Sequence, residues 1–251
     1  MVNIFFHRTY HLHDTYEEIK SRAVKNLKNF LTYPGLLFFD DAGKSITFLS
    51  ERLIPTTSTN RPRIMLLFSN PHPHSIYQGM FLSPSIKGHE SLFWLTMRDA
   101  GWIELPGENY SPTQLADICA NAKYSGPFEF VFYCYYAFPT RYPEDIIRIF
   151  GKDYFTRFLV PEAREEFKKT IDEAKINAVV TFNKGIFNLV ADEKVDRYID
   201  RLNNGDTIQS QICGVTRSLP IFLTYPTGWF YNRDYRILRR SSFNAIQEFI
   251  I

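Results

Sequence analysis

Cysteine is scarce in this chain of 251 residues, and its three copies lie far apart. Cys119, Cys134 and Cys213 form no CxxC pair, and they are too few for a four-cysteine iron–sulfur cluster or a disulfide framework. We therefore expect reduced, mostly buried thiols that behave as small apolar side chains.

A surplus of charge is also missing, because 29 Lys and Arg against 27 Asp and Glu leave a net charge of only +2. The field of the whole molecule neither requires nor excludes a polyanionic partner, so a nucleic-acid surface has to be a local patch. No apolar run approaches the length of a membrane span, and the N-terminus lacks a basic segment followed by a long apolar core. We expect a cytoplasmic monomer without membrane contact.

Apolar residues are abundant, with 45% hydrophobic and 16% aromatic content, which suffices for a large core. We expect one domain over residues 1–251, with 1–61 as a helical and strand extension packed on it. Alternating strands and helices are typical of a three-layer α/β/α sandwich with a central, mainly parallel sheet of about four strands. The main strands are predicted at 64–68, 129–136, 178–182 and 219–223, with shorter ones at 36–39, 45–49 and 208–215. Helices are predicted at 15–31, 90–100, 161–175, 184–190, 194–202 and 234–249.

The apolar run Ile64 to Phe68 leads directly into the polar segment Ser69 to His74. Two prolines in that segment restrict the backbone, so its polar side chains are presented with little freedom to relax. Ligands of open α/β sheets bind just beyond the carboxyl ends of the strands. We therefore expect loops 69–87, 137–143 and 224–232 to converge in a site at that edge.

Four motifs along the chain resemble the uracil-DNA glycosylase superfamily. Asn70-Pro71-His72-Pro73 with Gln78-Gly79-Met80-Phe81 is similar to the first motif of the single-strand-selective and mismatch-specific branches. The segment 88–103 resembles the family helix, 178–185 a later strand with its glycine turn, and Tyr225-Pro226-Thr227-Gly228 the second motif. The resemblance covers roughly residues 62–250, and each motif alone is short enough to arise by chance.

This resemblance implies a base-excision repair enzyme that hydrolyses the N-glycosidic bond of uracil or a related deaminated base in DNA, without a cofactor. It is monofunctional, since no lysine stands where a Schiff base is expected. Asn70 would orient the attacking water, although its neutral amide is a poor general base. Asn70 could instead cap the turn after the strand, where Asn is common.

The same motif supplies the predicted base pocket. Phe81 would stack on the flipped base, unless it is an ordinary core residue. His72 stands where relatives carry Gly or a Tyr that blocks the thymine methyl, so we expect it to favour uracil over thymine. An alternative is a metal held by His72 and His74 together with a histidine near the N-terminus, although no HExxH pattern accompanies them. The remaining predicted pocket residues are Ser69, His74 and Gln78, and the additional histidines of the metal alternative are His7, His11 and His13.

Two departures from the family pattern affect the chemistry. Tyr225 replaces the His that stabilises the leaving base, so that role would fall to Tyr225, Thr227 or backbone amides. The Asn that reads the base edge has no clear equivalent, and Tyr135 and Tyr136 occupy its neighbourhood. A non-catalytic relative that binds nucleic acid or a nucleotide is therefore the alternative function. An unrelated hydrolase lacks support, because there is no GxSxG motif and Cys134 has no recognisable His partner.

A DNA-contacting surface is predicted near the C-terminus. Trp229 and Phe230 would form an apolar wedge that fills the gap left by the flipped base, unless they are buried in the core. Arginines at helical spacing follow them and could contact phosphates, or could simply form a solvated helix face. The arginines of this row are Arg233, Arg236 and Arg240, and Lys87 and Arg141 could extend it.

Overall fold

The computed structural model describes residues 4–83, 91–105, 107, 110–227 and 233–251, with side chains in the last range from residue 237 onward. The strands are β1 Phe5–His11, β2 Leu37–Asp40, β3 Ser45–Leu53, β4 Arg63–Phe68, β5 Glu129–Cys134, β6 Ala178–Thr181, β7 Ile208–Gln211 and β8 Pro220–Leu223. The helices are α1 Tyr16–Leu27, α2 Pro73–Gln78, α3 Leu92–Asp99, α4 Pro112–Ala120, α5 Pro143–Phe150, α6 Lys152–Tyr154, α7 Val160–Glu173, α8 Lys184–Ala191, α9 Tyr198–Asn203 and α10 Arg233–Ile250. A single 3-10 turn precedes α1, and a π turn at Phe155–Leu159 joins α6 to α7.

The described strands form one eight-stranded sheet in the order β1-β3-β5-β4-β6-β8-β7, with β2 also paired to β3. Strands β5, β4, β6 and β8 are parallel neighbours, whereas β3 and β7 run antiparallel on either side of them. The predicted α/β class is confirmed, but the predicted count of about four strands is wrong. The sheet as a whole is mixed rather than mainly parallel, with three parallel and four antiparallel strand pairs among the described residues.

One strand, β1, was missed and another, β3, was predicted too short, and both carry weak apolar patterns. In β1, only Tyr10 of seven residues is buried, so its sequence gives no core-facing alternation. Strand β3 continues through the polar residues Ser50, Glu51 and Arg52, which interrupt the hydrophobic signal of its first half. Pairing with neighbouring strands, rather than local hydrophobicity, places these segments in the sheet.

The parallel strands bury both faces. Alternate residues of β4 such as Leu66 belong to a core cluster shared with α3, α4 and α10, while Met65 and Leu67 belong to a second cluster shared with α7, α8 and α9. Each fully buried apolar side chain of this size contributes about 1.5–3 kcal/mol to stability. This two-sided burial explains the continuous apolar run of β4.

The N-terminal strands continue the same sheet and have a core of their own. A third cluster contains Tyr10, Ile19 and Phe48 together with Phe138 and Ile149. Phe138 follows β5, so the N-terminal segment packs directly against the loop at the carboxyl end of that strand. None of the helices that the structure describes has both the length and the apolar character of a membrane span.

The strand order places β4 between β5 and β6. The chain therefore leaves β4 towards one side of the sheet and later crosses to its other side. Such a reversal is the topological switch point of an open α/β sheet, outside which ligands bind. The segment that begins at Ser69 lies at this point.

Candidate functional site

The loops that follow β4 and β5 are joined by backbone hydrogen bonds. The N–H of Tyr135 donates to Phe68 O at 2.8 Å, and the N–H of Tyr136 donates to Ser69 O at 2.8 Å. Beyond the strands, the N–H of Thr140 donates to Pro71 O at 3.1 Å. The two loops therefore form one rigid wall at the carboxyl edge of the sheet.

Asn70 is held at the centre of this wall. Its Nδ2 donates to Thr140 O at 2.8 Å, to Thr140 Oγ1 at 2.9 Å and to Pro71 O at 3.2 Å. The Ser69 hydroxyl donates to Asn70 Oδ1 at 3.0 Å. Because a carbonyl oxygen has two lone pairs, Oδ1 can accept a further hydrogen bond. The amide is thus fixed in orientation while its acceptor atom keeps unused capacity.

His72 caps helix α2. Its backbone is extended, and its Nδ1 accepts from the N–H of His74 at 3.1 Å, with Pro73 at the first helical position. Burial, together with the nearby charges of His74 and Arg141, lowers the pKa of His72 to about 4. The imidazole is therefore neutral at pH 7 and serves as an acceptor. Among the described residues, no three His, Cys, Asp or Glu side chains lie where they could share a metal ion.

Phe81 lies in an aromatic cluster beneath the wall. It is 2% exposed, and its ring centroid lies 5.6 Å from Phe68 and 5.5 Å from Phe132. Stacking of a base on Phe81 would require these neighbours to move. Gln78, at the end of α2, is half-buried, and Gly79 ends that helix with a φ of +93°, a conformation that favours glycine.

The two tyrosines that follow β5 point to different surroundings. The Tyr135 hydroxyl forms a hydrogen bond with Arg164, and burial raises the pKa of Tyr135. Tyr135 and Arg164 also line a cavity of about 180 Å³ between α7 and α8. The ring of Tyr136 instead packs against Phe155, with 5.1 Å between centroids. Both tyrosines nevertheless also line a second, smaller cavity of about 20 Å³ together with Glu51, and their rings meet edge to face with 5.1 Å between centroids.

The third loop is only partly described. Tyr225 is fully buried, and its hydroxyl donates to Asn203 Oδ1 of α9 at 3.1 Å. Thr227 is half-buried two residues further on. The predicted wedge residues Trp229 and Phe230 and the predicted phosphate contact Lys87 lie outside the described residues, as do the side chains of Arg233 and Arg236. The other two predicted phosphate contacts, Arg141 and Arg240, are exposed.

Glu51 is a residue that the sequence did not single out. It is 3% exposed at the β3 end next to β5, and its Oε2 has no hydrogen-bond partner among the described residues. Burial raises the pKa of Glu51 well above its usual range, although the backbone N–H of His72 donates to the carboxylate and opposes the rise. A charged residue between the apolar Phe48 and Leu53 was the available signal.

Thr140 was missed as well. Its side chain is fully buried, accepts from Asn70 and donates to Tyr142 O at 2.9 Å. The sequence places Thr140 in a loop rich in proline and aromatic residues, but long-range pairing with Asn70 appears only in the structure.

No protein-family model matches the chain, and a search of curated proteins finds no significant match.

Proposed function

We propose that this edge of the sheet is the base-binding site of a DNA N-glycosylase that releases uracil or a related deaminated base. The fixed orientation of the Asn70 amide is the observation that carries the proposal. In water, an asparagine side chain rotates freely, whereas here the hydrogen bonds to Thr140 hold it in one position. Such preorganisation lowers the cost of reaching the transition state.

In the proposed reaction, a water molecule donates a hydrogen bond to Asn70 Oδ1 and directs its oxygen at the sugar carbon C1′. The glycosidic bond breaks with its electron pair on the base nitrogen, and the water oxygen bonds to C1′. The water's proton is lost to solvent, and the released base takes up a proton from solvent. Because the Asn70 amide cannot remove a proton, the reaction is slow or limited to bases that leave easily.

The surrounding architecture agrees with this proposal. Core clusters on both faces of the parallel strands support the predicted three-layer arrangement around the sheet. The Asn70 segment lies at the topological switch point, where ligands of such sheets bind. His72 lies two residues after Asn70, and its lowered pKa leaves the imidazole neutral at pH 7. We propose that it lines the base pocket as an uncharged side chain.

The test is base release from single-stranded and duplex oligonucleotides that carry uracil, hypoxanthine or xanthine. Asn70→Ala should lower release about 100-fold while leaving the chain folded. Asn121→Ala is a matched control, because the Asn121 amide also donates to a backbone carbonyl, that of Asp117. Asn121 lies at the end of α4, outside the two loops of the wall. The proposal fails if the wild type releases none of these bases.

A second candidate function is non-catalytic binding of nucleic acid or a nucleotide at the same edge. The observation that favours it is the Tyr225 hydroxyl, which donates to Asn203 rather than to an open pocket. Tyr225 would then not stabilise the leaving base, and Thr227 would be the remaining described side chain predicted for that role. Salt-dependent DNA binding with no base release from any of the oligonucleotides would support this second function.

A further inference from the structure

A cluster of aromatic side chains stands beside the Asn70 wall at the surface. The rings of Tyr33 and Tyr77 stack with centroids 4.4 Å apart and planes at 16°. Tyr77 nevertheless remains 55% exposed. Tyr77 therefore presents aromatic surface to solvent while the stack with Tyr33 orients its ring.

The two stacked tyrosines come from segments that meet at the site. Tyr77 belongs to α2, which begins one residue after His72 and is only about 9 Å long. Tyr33 lies in the turns after α1, where its N–H donates to Phe30 O at 2.9 Å. The ring of Phe30 in turn contacts His72 edge to face, with 5.9 Å between centroids. The stack is therefore attached to the wall that holds Asn70.

A second exposed aromatic ring with a cation lies on the other loop of the wall. Tyr142 is 50% exposed, and the Arg141 guanidinium carbon lies 5.1 Å from the centre of its ring. Arg141 is also close enough to His72 to help lower the pKa of that imidazole. Thr140, which binds Asn70, immediately precedes this pair. Tyr33, Tyr77, Tyr142 and Arg141 together form what we call the aromatic rim.

We infer that the aromatic rim binds unpaired bases of a DNA single strand on either side of the nucleotide at Asn70. Exposed aromatic faces stack on bases without regard to sequence, and a nearby cation attracts the phosphates. Bases in a duplex already stack on one another, so their faces are not available to such a rim. This inference rests on the proposed function, because it takes the strand that delivers the base as the ligand, and it adds a preference for single strands.

The test measures the affinity of the full chain for a short fluorescent oligodeoxythymidylate, alone and paired with oligodeoxyadenylate. Tyr77→Ala and Tyr33→Ala should each raise the Kd for the single strand by about tenfold, since each removes a stacking face. Tyr77→Phe keeps the ring and should bind as the wild type does. Thermal melting of each variant establishes that the loss does not come from unfolding.

Phe158→Ala is the matched control. Phe158 is also 55% exposed, packs on Tyr154 with 4.9 Å between centroids and has Arg157 near its face. It lies in the π turn, on a segment outside the aromatic rim. Its substitution should leave the Kd for the single strand unchanged. That result would show that an exposed aromatic ring contributes to binding because it lies beside Asn70, and not through its exposed area alone.

The outcomes separate the rim from the catalytic proposal. Binding that depends on Tyr77, with no base release from any substrate, would contradict the glycosylase and leave the rim in place. Base release with equal affinities for wild type, Tyr77→Ala and Tyr33→Ala would contradict the rim and leave the glycosylase in place. Equal affinity for single strand and duplex, or no DNA binding at all, would also overturn the rim.

Discussion

At the residue scale, the two polar atoms of the Asn70 amide have different surroundings. Its Nδ2 atom holds the turn after β4, through Pro71 and Thr140. Its Oδ1 atom retains capacity to accept from water. The hydrogen bonds of Nδ2 thus fix the orientation of Oδ1, and the proposed catalytic role requires that orientation.

Thr140 is therefore predicted to be a positioning residue. Thr140→Val removes the hydroxyl that accepts from Asn70 but leaves the bond to Thr140 O. We expect kcat for base release to fall about tenfold with KM unchanged, because binding of DNA does not involve this buried hydroxyl. Thr140→Ser should restore most of kcat. A KM that rises with an unchanged kcat would contradict this role.

Glu51 gives a prediction about pH. Its carboxyl keeps its proton to higher pH in the folded protein than in the unfolded chain, so between the ordinary and the raised pKa the folded state binds more protons. Stability therefore falls as pH rises above that ordinary pKa, until the raised pKa of the folded protein is reached. Glu51→Gln removes this dependence.

We accordingly expect the unfolding free energy of Glu51→Gln, relative to wild type, to increase as pH rises above the ordinary pKa of a glutamate, by at most about 1.4 kcal/mol per pH unit. Urea unfolding at several pH values measures it. Glu193→Gln, at an exposed position after α8, is the control and should parallel the wild type. Parallel profiles for Glu51→Gln would show that Glu51 is ionised in the fold.

At the scale of elements, sequence patterns predicted the strands that are buried on both faces. Strands β4, β5, β6 and β8 were each expected from continuous apolar runs, and each is present with its end within about two residues of the expected one. Strand β1 was not expected, because it joins the sheet by pairing with β3. Local hydrophobicity reports burial, whereas edge pairing depends on residues far away in the chain.

The residues of the candidate site also divide into those that local sequence predicts and those that depend on long-range contacts. The polar tip of β4 was predictable from its place after an apolar strand. Its partners Thr140 and Glu51 were not, since both reach it through contacts between distant segments. The stack of Tyr33 on Tyr77 depends on such a contact too, and two tyrosines 44 positions apart give no sequence signal.

The amino-terminal ends of β4 and β5 offer a test of strand pairing. Arg63 of β4 donates from Nη2 to Glu129 Oε2 of β5 at 2.7 Å, and Glu129 is 1% exposed. Arg63→Met should cost about 3 kcal/mol, because it leaves a buried carboxylate without its cation. The exposed ion pair of Arg201 with Asp206 provides the control, since Arg201→Met should cost less than about 1 kcal/mol.

The pH dependence of this ion pair has a definite sign. Burial opposes ionisation of Glu129, yet hydrogen bonds from Thr59 and Arg63 hold its pKa below the usual value. Its stabilising contribution is present above that usual value and is lost as pH falls through the lowered pKa. The penalty of Arg63→Met should therefore shrink at acidic pH. A penalty independent of pH would argue against the ion pair.

At the scale of the whole molecule, a net charge of +2 means that the proposed DNA binding would depend on a local surface. Arg141 acts on the pKa of His72 and belongs to the aromatic rim, and removing it should lower the salt dependence of single-strand binding. For Arg141→Gln, the slope of log Kd against log salt should fall by about 0.7. Arg157→Gln is the control, because Arg157 also lies over an aromatic ring, that of Phe158. Equal slopes for both variants would contradict a phosphate contact by Arg141.

The central claim is that Asn70 positions the water for glycosidic hydrolysis, and single-turnover uracil release from a single-stranded oligonucleotide tests it most directly. We predict measurable release by the wild type and a loss of about 100-fold in Asn70→Ala, with Asn121→Ala unchanged. Release by Asn70→Ala at the wild-type rate would contradict the claim.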